Sequence, residues 1–271
     1  MGLRAASLQR FFEANGPVVS VTVTEAKGST PRETGAWMAV SESSFFGTIG
    51  GGQLEMMAIN AARQLIETGN ASDEMNVPLG PEIGQCCGGR VVLALDRLDE
   101  EAIGALSGQV QDEDRRQPQV YVFGAGHVGK ALTQSLSPLP LRTILVETRQ
   151  AELDATSAEV EKQLSAMPES LIAQAAPHSV FVVLTHDHAL DFLIVQQALV
   201  RGDAAYVGMI GSKTKRAAFL SWHKDNGGDP AEAERLICPI GGRRVSDKRP
   251  EVIAALVAAE IITVLAERVA S

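Results

Sequence analysis

Apolar and polar positions alternate through the first third of the chain. The runs from Val18 to Ala26, Gly35 to Val40 and Ser44 to Gln53 place β-branched and aromatic residues between glycine-rich turns, which predicts the strands of a small mixed sheet. From Leu54 to Ile66 the apolar spacing becomes helical, and Gly69 or Asn70 can close that helix with a left-handed cap. Arg90 to Leu98 returns to a strand pattern. Between Ser107 and Gln119 the chain is polar, charged and without apolar period, and it reads as a linker. The pattern therefore predicts a first domain over 1–112, a linker over 113–118 and a second domain over 119–271.

Beyond Val120 strand and helix patterns alternate. A strand ending in FGAG leads into a helix from His127, and Arg142 to Arg149 is a second strand. Ser179 to Asp187 and Ala204 to Ser212 are further apolar strands, with a helix from Ala189 to Val200 between them. This order predicts a Rossmann-like, doubly wound parallel sheet, so the fold class is α/β: a small N-terminal mixed α/β domain followed by the Rossmann-like one. The last helix, from Pro250, carries more apolar surface than a solvated helix does and must pack on something.

Composition narrows the function classes. Lys and Arg number 24 against 33 Asp and Glu, a net charge of −9, which argues against a general binder of nucleic-acid backbones. No run reaches the roughly 18 apolar residues that span a bilayer. The segment MGLRAASLQRFFEANG lacks the apolar core of a signal peptide, so a cytoplasmic chain without a membrane partner is expected. Of the three cysteines two are adjacent, Cys86 and Cys87; they form no disulfide framework and no CxxC pair, which leaves reduced thiols with a chemical task or simply buried ones.

The clearest motif is GAGHVG, a GxGxxG of Gly124, Gly126 and Gly129 that follows a strand and opens a helix at His127, with Glu147 closing the next strand. Such glycines permit a tight turn and a close backbone approach. The helix N-terminus offers amides to a pyrophosphate, and a carboxylate after the second strand can take ribose hydroxyls. A nucleotide is one reading, and a turn that defines the fold and holds no ligand is the other. Thr185, His186, Asp187 and His188 stand just past a strand, where open α/β sheets bind ligands. Their spacing is not a specific metal pattern, so no metal site is expected; contact with an anionic ligand and plain helix capping by Asp187 or Thr185 both remain. Gly211, Ser212 and Lys213, ahead of Lys215 and Arg216, resemble an anion cradle, against an ordinary loop into a solvated basic helix.

In the first domain Ser29, Thr30 and Arg32 lie in a short donor-rich loop after a strand, and Gly50, Gly51 and Gly52 join a strand to a helix that begins with Glu55. Three glycines expose backbone N–H groups to an anion without side-chain obstruction. Cys86 and Cys87 precede Gly88, Gly89 and Arg90, and a guanidinium nearby favours thiolate.

Together the stretches GSTPRETGAWM, GTIGGGQLE, QCCGGRV, FGAGHVGKAL, THDHALDF, YVGMIGSKTKR, and CPIG followed by KRPEVIAALVAAEI resemble the XdhC family (XdhC/CoxI type), accessory proteins that mature xanthine dehydrogenase. The resemblance covers nearly the whole chain, with Gly242 departing from the apolar residue expected after CPIG. It implies an accessory protein rather than an enzyme, one that binds the molybdenum cofactor (molybdopterin), supports its sulfuration and delivers it to an apo-xanthine dehydrogenase or related molybdoenzyme. It further implies a cysteine desulfurase as a second partner and a homo-oligomeric state. Cys86 and Cys87 are then the candidates for handling sulfur or molybdenum. The loop residues named above, with His127, Glu147, His186, Asp187, His188 and Lys213, are the candidates for holding the cofactor or a nucleotide. The rival class is an NAD(P)-dependent oxidoreductase that uses the same Rossmann turn.

Overall fold

The computed structural model describes residues 3–80, 88–242, 245 and 247–269. The chain divides into two compact units, Met1–Glu113 and Asp114–Ser271.

The first unit runs α1 (Leu3–Ala14), β1 (Val19–Lys27), β2 (Trp37–Val40), β3 (Phe45–Gly47), α2 (Gly52–Thr68), β4 (Ser72–Pro78), β5 (Arg90–Arg97) and α3 (Glu100–Arg116). Its five strands lie in the order β3-β2-β1-β5-β4, and every pairing is antiparallel. The expected mixed sheet is thus corrected to an antiparallel one. Turns after β1 and β2 and the return from β4 to β5 reverse the chain between neighbours, and the α2 crossover moves it only from one edge to the other. Strand alternation separates two apolar faces: Val19, Val21 and Val23 meet Leu54, Ala58, Ala62 and Leu65 of α2, while Trp37 and Ala39 meet Ala5 and Leu8 of α1 and Val110 of α3. Gly69 caps α2 in the left-handed conformation, its N–H donating to the Leu65 carbonyl.

The segment expected to be a linker over 113–118 is helical as far as Arg116, leaving Gln117 and Pro118 before the next strand. Few apolar residues anchor α3, but Val110 is fully buried, and Glu100 and Glu101 in the first turn with Arg115 and Arg116 in the last complement the helix dipole. A reading by apolar period alone overlooks a helix of this kind.

The second unit contains β6 (Gln119–Phe123), α4 (His127–Leu136), β7 (Arg142–Glu147), α5 (Gln150–Asp154), β8 (Glu161–Leu164), a 3-10 turn (Pro168–Gln174), β9 (Val180–Val183), α6 (His188–Val200), β10 (Tyr206–Met209), α7 (Lys213–Asp225), α8 (Pro230–Ala233), β11 (Leu236–Ile237) and α9 (Pro250–Val269). All six strands are parallel, in the order β8-β7-β6-β9-β10-β11. Counted from β6 this is 3-2-1-4-5-6, the order of dinucleotide-binding Rossmann sheets, with its switch point between β6 and β9. Helices cover both faces. Val120 and Val122 pack with Leu132 and Leu136 of α4 and Ala254, Val257 and Ile261 of α9, whereas Tyr121 and Phe123 pack with Ile194, Val195 and Phe219. The apolar α9 thereby finds its partner: its small residues Ala254 and Ala258 sit on the face that lies along α4. Each fully buried Leu or Val of these layers contributes about 1.5–3 kcal/mol by leaving water.

Candidate functional site

The switch point of the second unit is built from three chain segments. The first is the GxGxxG turn after β6. Gly124 has φ +113°, and a Cβ there would stand 2.4 Å from the Leu184 carbonyl oxygen; a Cβ on Gly129 would stand 1.9 Å from the Gly124 carbonyl oxygen. These two glycines are demanded by the packing of the turn itself. Gly126 differs, since it adopts an ordinary extended conformation and nothing lies within 4 Å of its Cβ position. Gly126 is also the N-cap of α4, and no side chain caps the first-turn amides of that helix, beside the exposed His127.

The second segment is the end of β7. Glu147 is 3% exposed and its carboxylate is surrounded by donors. Oε2 accepts from the Ala125 amide at 2.9 Å and from Arg149 Nη2 at 3.1 Å, while Oε1 accepts from the Thr148 amide at 2.9 Å and from Arg149 Nε at 3.2 Å. Burial alone would raise its pKa, but the hydrogen bonds from Arg149, Ala125 and Thr148 outweigh burial and hold it at about 2. The carboxylate expected to meet a ribose therefore ties the glycine turn to the next loop. Arg149 Nη1 lies 3.7 Å from Glu152, whose other oxygen accepts from Lys130 Nζ at 2.7 Å. Arg149, Glu152 and Lys130 carry no motif signal, because Lys130 and Glu152 are 22 residues apart and meet only through the α4–β7–α5 arrangement.

The third segment follows β9. Thr185 and His186 join Gly124, Glu147, Thr148 and Leu190 around a shallow notch. Asp187 is the N-cap of α6, accepting from the Ala189 and Leu190 amides, which is the capping alternative weighed for it; His186 and His188 are exposed. Asp191 is fully buried, accepts from the Thr185 hydroxyl at 2.7 Å and pairs with Lys215 Nζ. Of the basic cluster after β10, Lys215 is thus consumed by an internal ion pair, Ser212 caps α7 by accepting from the Lys215 amide at 3.3 Å, Gly211 lies against the Lys215 side chain, and Lys213 is exposed. Cys238, 4% exposed, has its thiol pushed up by burial, with Lys215 acting in the opposite direction.

In the first unit the three glycine-rich motifs converge on one end of the sheet. Ser29 bridges to Gly88, and a Cβ on Gly89 would stand 2.3 Å from the Ser29 carbonyl oxygen. On its other side the same loop meets the second motif, where a Cβ on Gly50 would stand 2.6 Å from Pro31 Cβ and 3.3 Å from Arg32 Cγ. Gly50, Gly51 and Gly52 all have positive φ, at 125°, 79° and 66°. Glu55 folds back over this turn, its Oε2 accepting from the Thr48 hydroxyl at 2.6 Å and from the Ile49 and Gly51 amides at 3.1 Å each. Ser29, Arg32, Gly52 and Arg90 are exposed and Thr30 half-buried, and nothing described lies within 4 Å of a Cβ on Gly51 or Gly88. The hydroxyls of Ser29 and Thr30 and the side chains of Arg32 and Arg90 add donors to the amides of these loops, chemistry suited to an anionic ligand. Cys86 and Cys87 lie outside the described residues. Among the described residues no cluster of three His, Cys, Asp or Glu side chains could hold a metal, and no helix is long and apolar enough to cross a membrane.

Comparison with known proteins gives the family. The chain is 26% identical over 262 residues to YqeB of Escherichia coli (strain K12), an uncharacterized protein; the match covers 93% of this chain and 44% of YqeB, so the chain spans less than half the length of that relative. A Bacillus halodurans protein whose crystal structure is named a xanthine dehydrogenase (BH1974) shares the fold with a TM-score of 0.77 at 17% identity, over 99% of this chain and 97% of that one. A model of the XdhC and CoxI family matches residues 11–75, and a model of the XdhC Rossmann domain matches residues 120–261, more than half of the sequence. The chain belongs to the XdhC family.

Proposed function

We propose that this chain is a maturation factor for a molybdoenzyme of the xanthine dehydrogenase class. In this reading it holds the molybdenum cofactor, supports its sulfuration with sulfur from a cysteine desulfurase, and delivers it to the apo-enzyme in the cytoplasm, acting as a homo-oligomer. The observation that carries the reading is the convergence of the Gly28–Arg32 loop with both the Gly50–Gly52 turn and Gly88–Arg90, which gathers donors beside the residues that follow the cysteine pair in sequence. When bound, the cofactor supplies the molybdenum centre that the target enzyme needs. Ser29, Thr30, Arg32, Gly51, Gly52 and Arg90 are the residues proposed to hold it, and Cys86 or Cys87 to handle its terminal sulfur.

A nucleotide at the second unit's turn is proposed alongside. It is supported by the one glycine of the motif that packing does not require, Gly126, and by the uncapped first turn of α4.

The test is to express the chain in a molybdenum-replete host and measure molybdenum and pterin in the purified protein and its power to activate an apo-xanthine dehydrogenase. Cys86→Ala and Cys87→Ala are made separately, and at least one is expected to lose most activation. Full cofactor content and full activation in both would remove the thiol role. NAD-dependent turnover of a substrate would instead place the chain among oxidoreductases.

A further inference from the structure

The end of β7 carries a linear chain of ionic groups. Glu147 is bound by Arg149, Arg149 is shared with Glu152, and Glu152 holds Lys130. The Ala125 amide that Glu147 accepts belongs to the glycine turn, so the carboxylate lies where the ribose of a nucleotide would hang from a pyrophosphate at α4. Two carboxylates here balance two cations, and one of the carboxylates is buried, which leaves its charge poorly screened.

Resting on the nucleotide reading above, we infer that this corner takes a nucleotide whose ribose 2′-hydroxyl is free, and that Glu152 sets the preference by holding Lys130 and Arg149 away from a 2′-phosphate. A 2′-hydroxyl can replace Arg149 Nη2 as donor to Glu147 Oε2 while Arg149 keeps Glu152, an exchange that leaves the charge balance unchanged. A 2′-phosphate brings about two negative charges against a fixed carboxylate, and both cations at this corner are already engaged. Glu152 is the more exposed of the two acids and its carboxylate pairs with Lys130 and Arg149, so it acts as a positioning residue.

The experiment is calorimetric titration of the full chain with 5′-ADP, 2′-phosphoadenosine 5′-diphosphate, NAD and NADP, repeated on Glu152→Gln. Wild-type protein should bind 5′-ADP and NAD at least about tenfold tighter than their 2′-phosphorylated counterparts, a difference of about 1.4 kcal/mol. Glu152→Gln should narrow that ratio about fivefold or more by strengthening the 2′-phosphorylated ligands, with 5′-ADP affinity changing less than about twofold. Equal or tighter binding of the 2′-phosphorylated ligands by wild type, or an unchanged ratio in the variant, overturns the inference and leaves the nucleotide reading in place. Failure of all four ligands to bind removes the nucleotide reading and the inference with it.

Discussion

Two glycine turns, one in each unit, join a strand to a helix and have a carboxylate folded onto their amides, yet they are built for different reasons. In the second unit the acid is Glu147, from a neighbouring strand; of the glycine turn it takes the Ala125 amide, and no side chain caps the N-terminus of α4. In the first unit the acid is Glu55, from the helix's own opening turn; it takes the Ile49 and Gly51 amides and the Thr48 hydroxyl, filling part of the nest that three positive-φ glycines create. A glycine-rich turn is therefore not by itself an anion site. What counts is which amides the protein has already satisfied, and which glycines its own packing demands.

The sharpest way to break this distinction is Gly129→Ala. A methyl group 1.9 Å from a backbone carbonyl cannot be relieved by a rotamer change, so a loss of about 3 kcal/mol or more is expected in urea unfolding. Gly126→Ala should cost no more than about 1 kcal/mol, the ordinary preference for Gly over Ala at an N-cap, while Gly126→Val should abolish nucleotide binding measured by calorimetry. A loss in Gly126→Ala as large as that in Gly129→Ala would erase the difference between the two positions.

Glu147 provides the next largest effect. Its folded pKa of about 2 lies below the ordinary value of 4.5, so the folded state favours the ionised form. That stability is fully present above pH 4.5 and is lost as pH falls toward 2. Allowing for the half-exposed Arg149 partner, it amounts to about 2 kcal/mol. Glu147→Gln should lower the urea midpoint at neutral pH and flatten its decline in acid; an identical acid limb in both proteins would show that the carboxylate is not held as described.

In the first unit Gly50→Ala and Gly51→Ala share the strain of positive φ, but only Gly50 faces Pro31, at 2.6 Å. Gly50→Ala should cost about 1 kcal/mol more than Gly51→Ala in thermal unfolding. The smallest change is expected for Glu55→Gln, about 0.5–1 kcal/mol, since the amide oxygen can still accept. If Glu55 competes with an anionic ligand for the nest, the same variant should bind that ligand more tightly.

The sequence by itself determined the elements whose residues obey one period. The β6 strand, the GxGxxG turn, the cap at Gly69 and the apolar α9 follow from local sterics and from apolar spacing, which need no distant partner to be read. It also determined the family, through the order of short motifs along the chain. Tertiary structure decided the rest. The polar α3 is helical because Val110 is buried by its neighbours and its end charges complement the helix dipole, and β4 and β8, with little apolar period, form because neighbouring strands supply their hydrogen bonds. Only the fold separates Gly126 from Gly129, assigns Lys215 to Asp191, and brings Lys130 to Glu152, because those distinctions depend on what stands beside each residue in space.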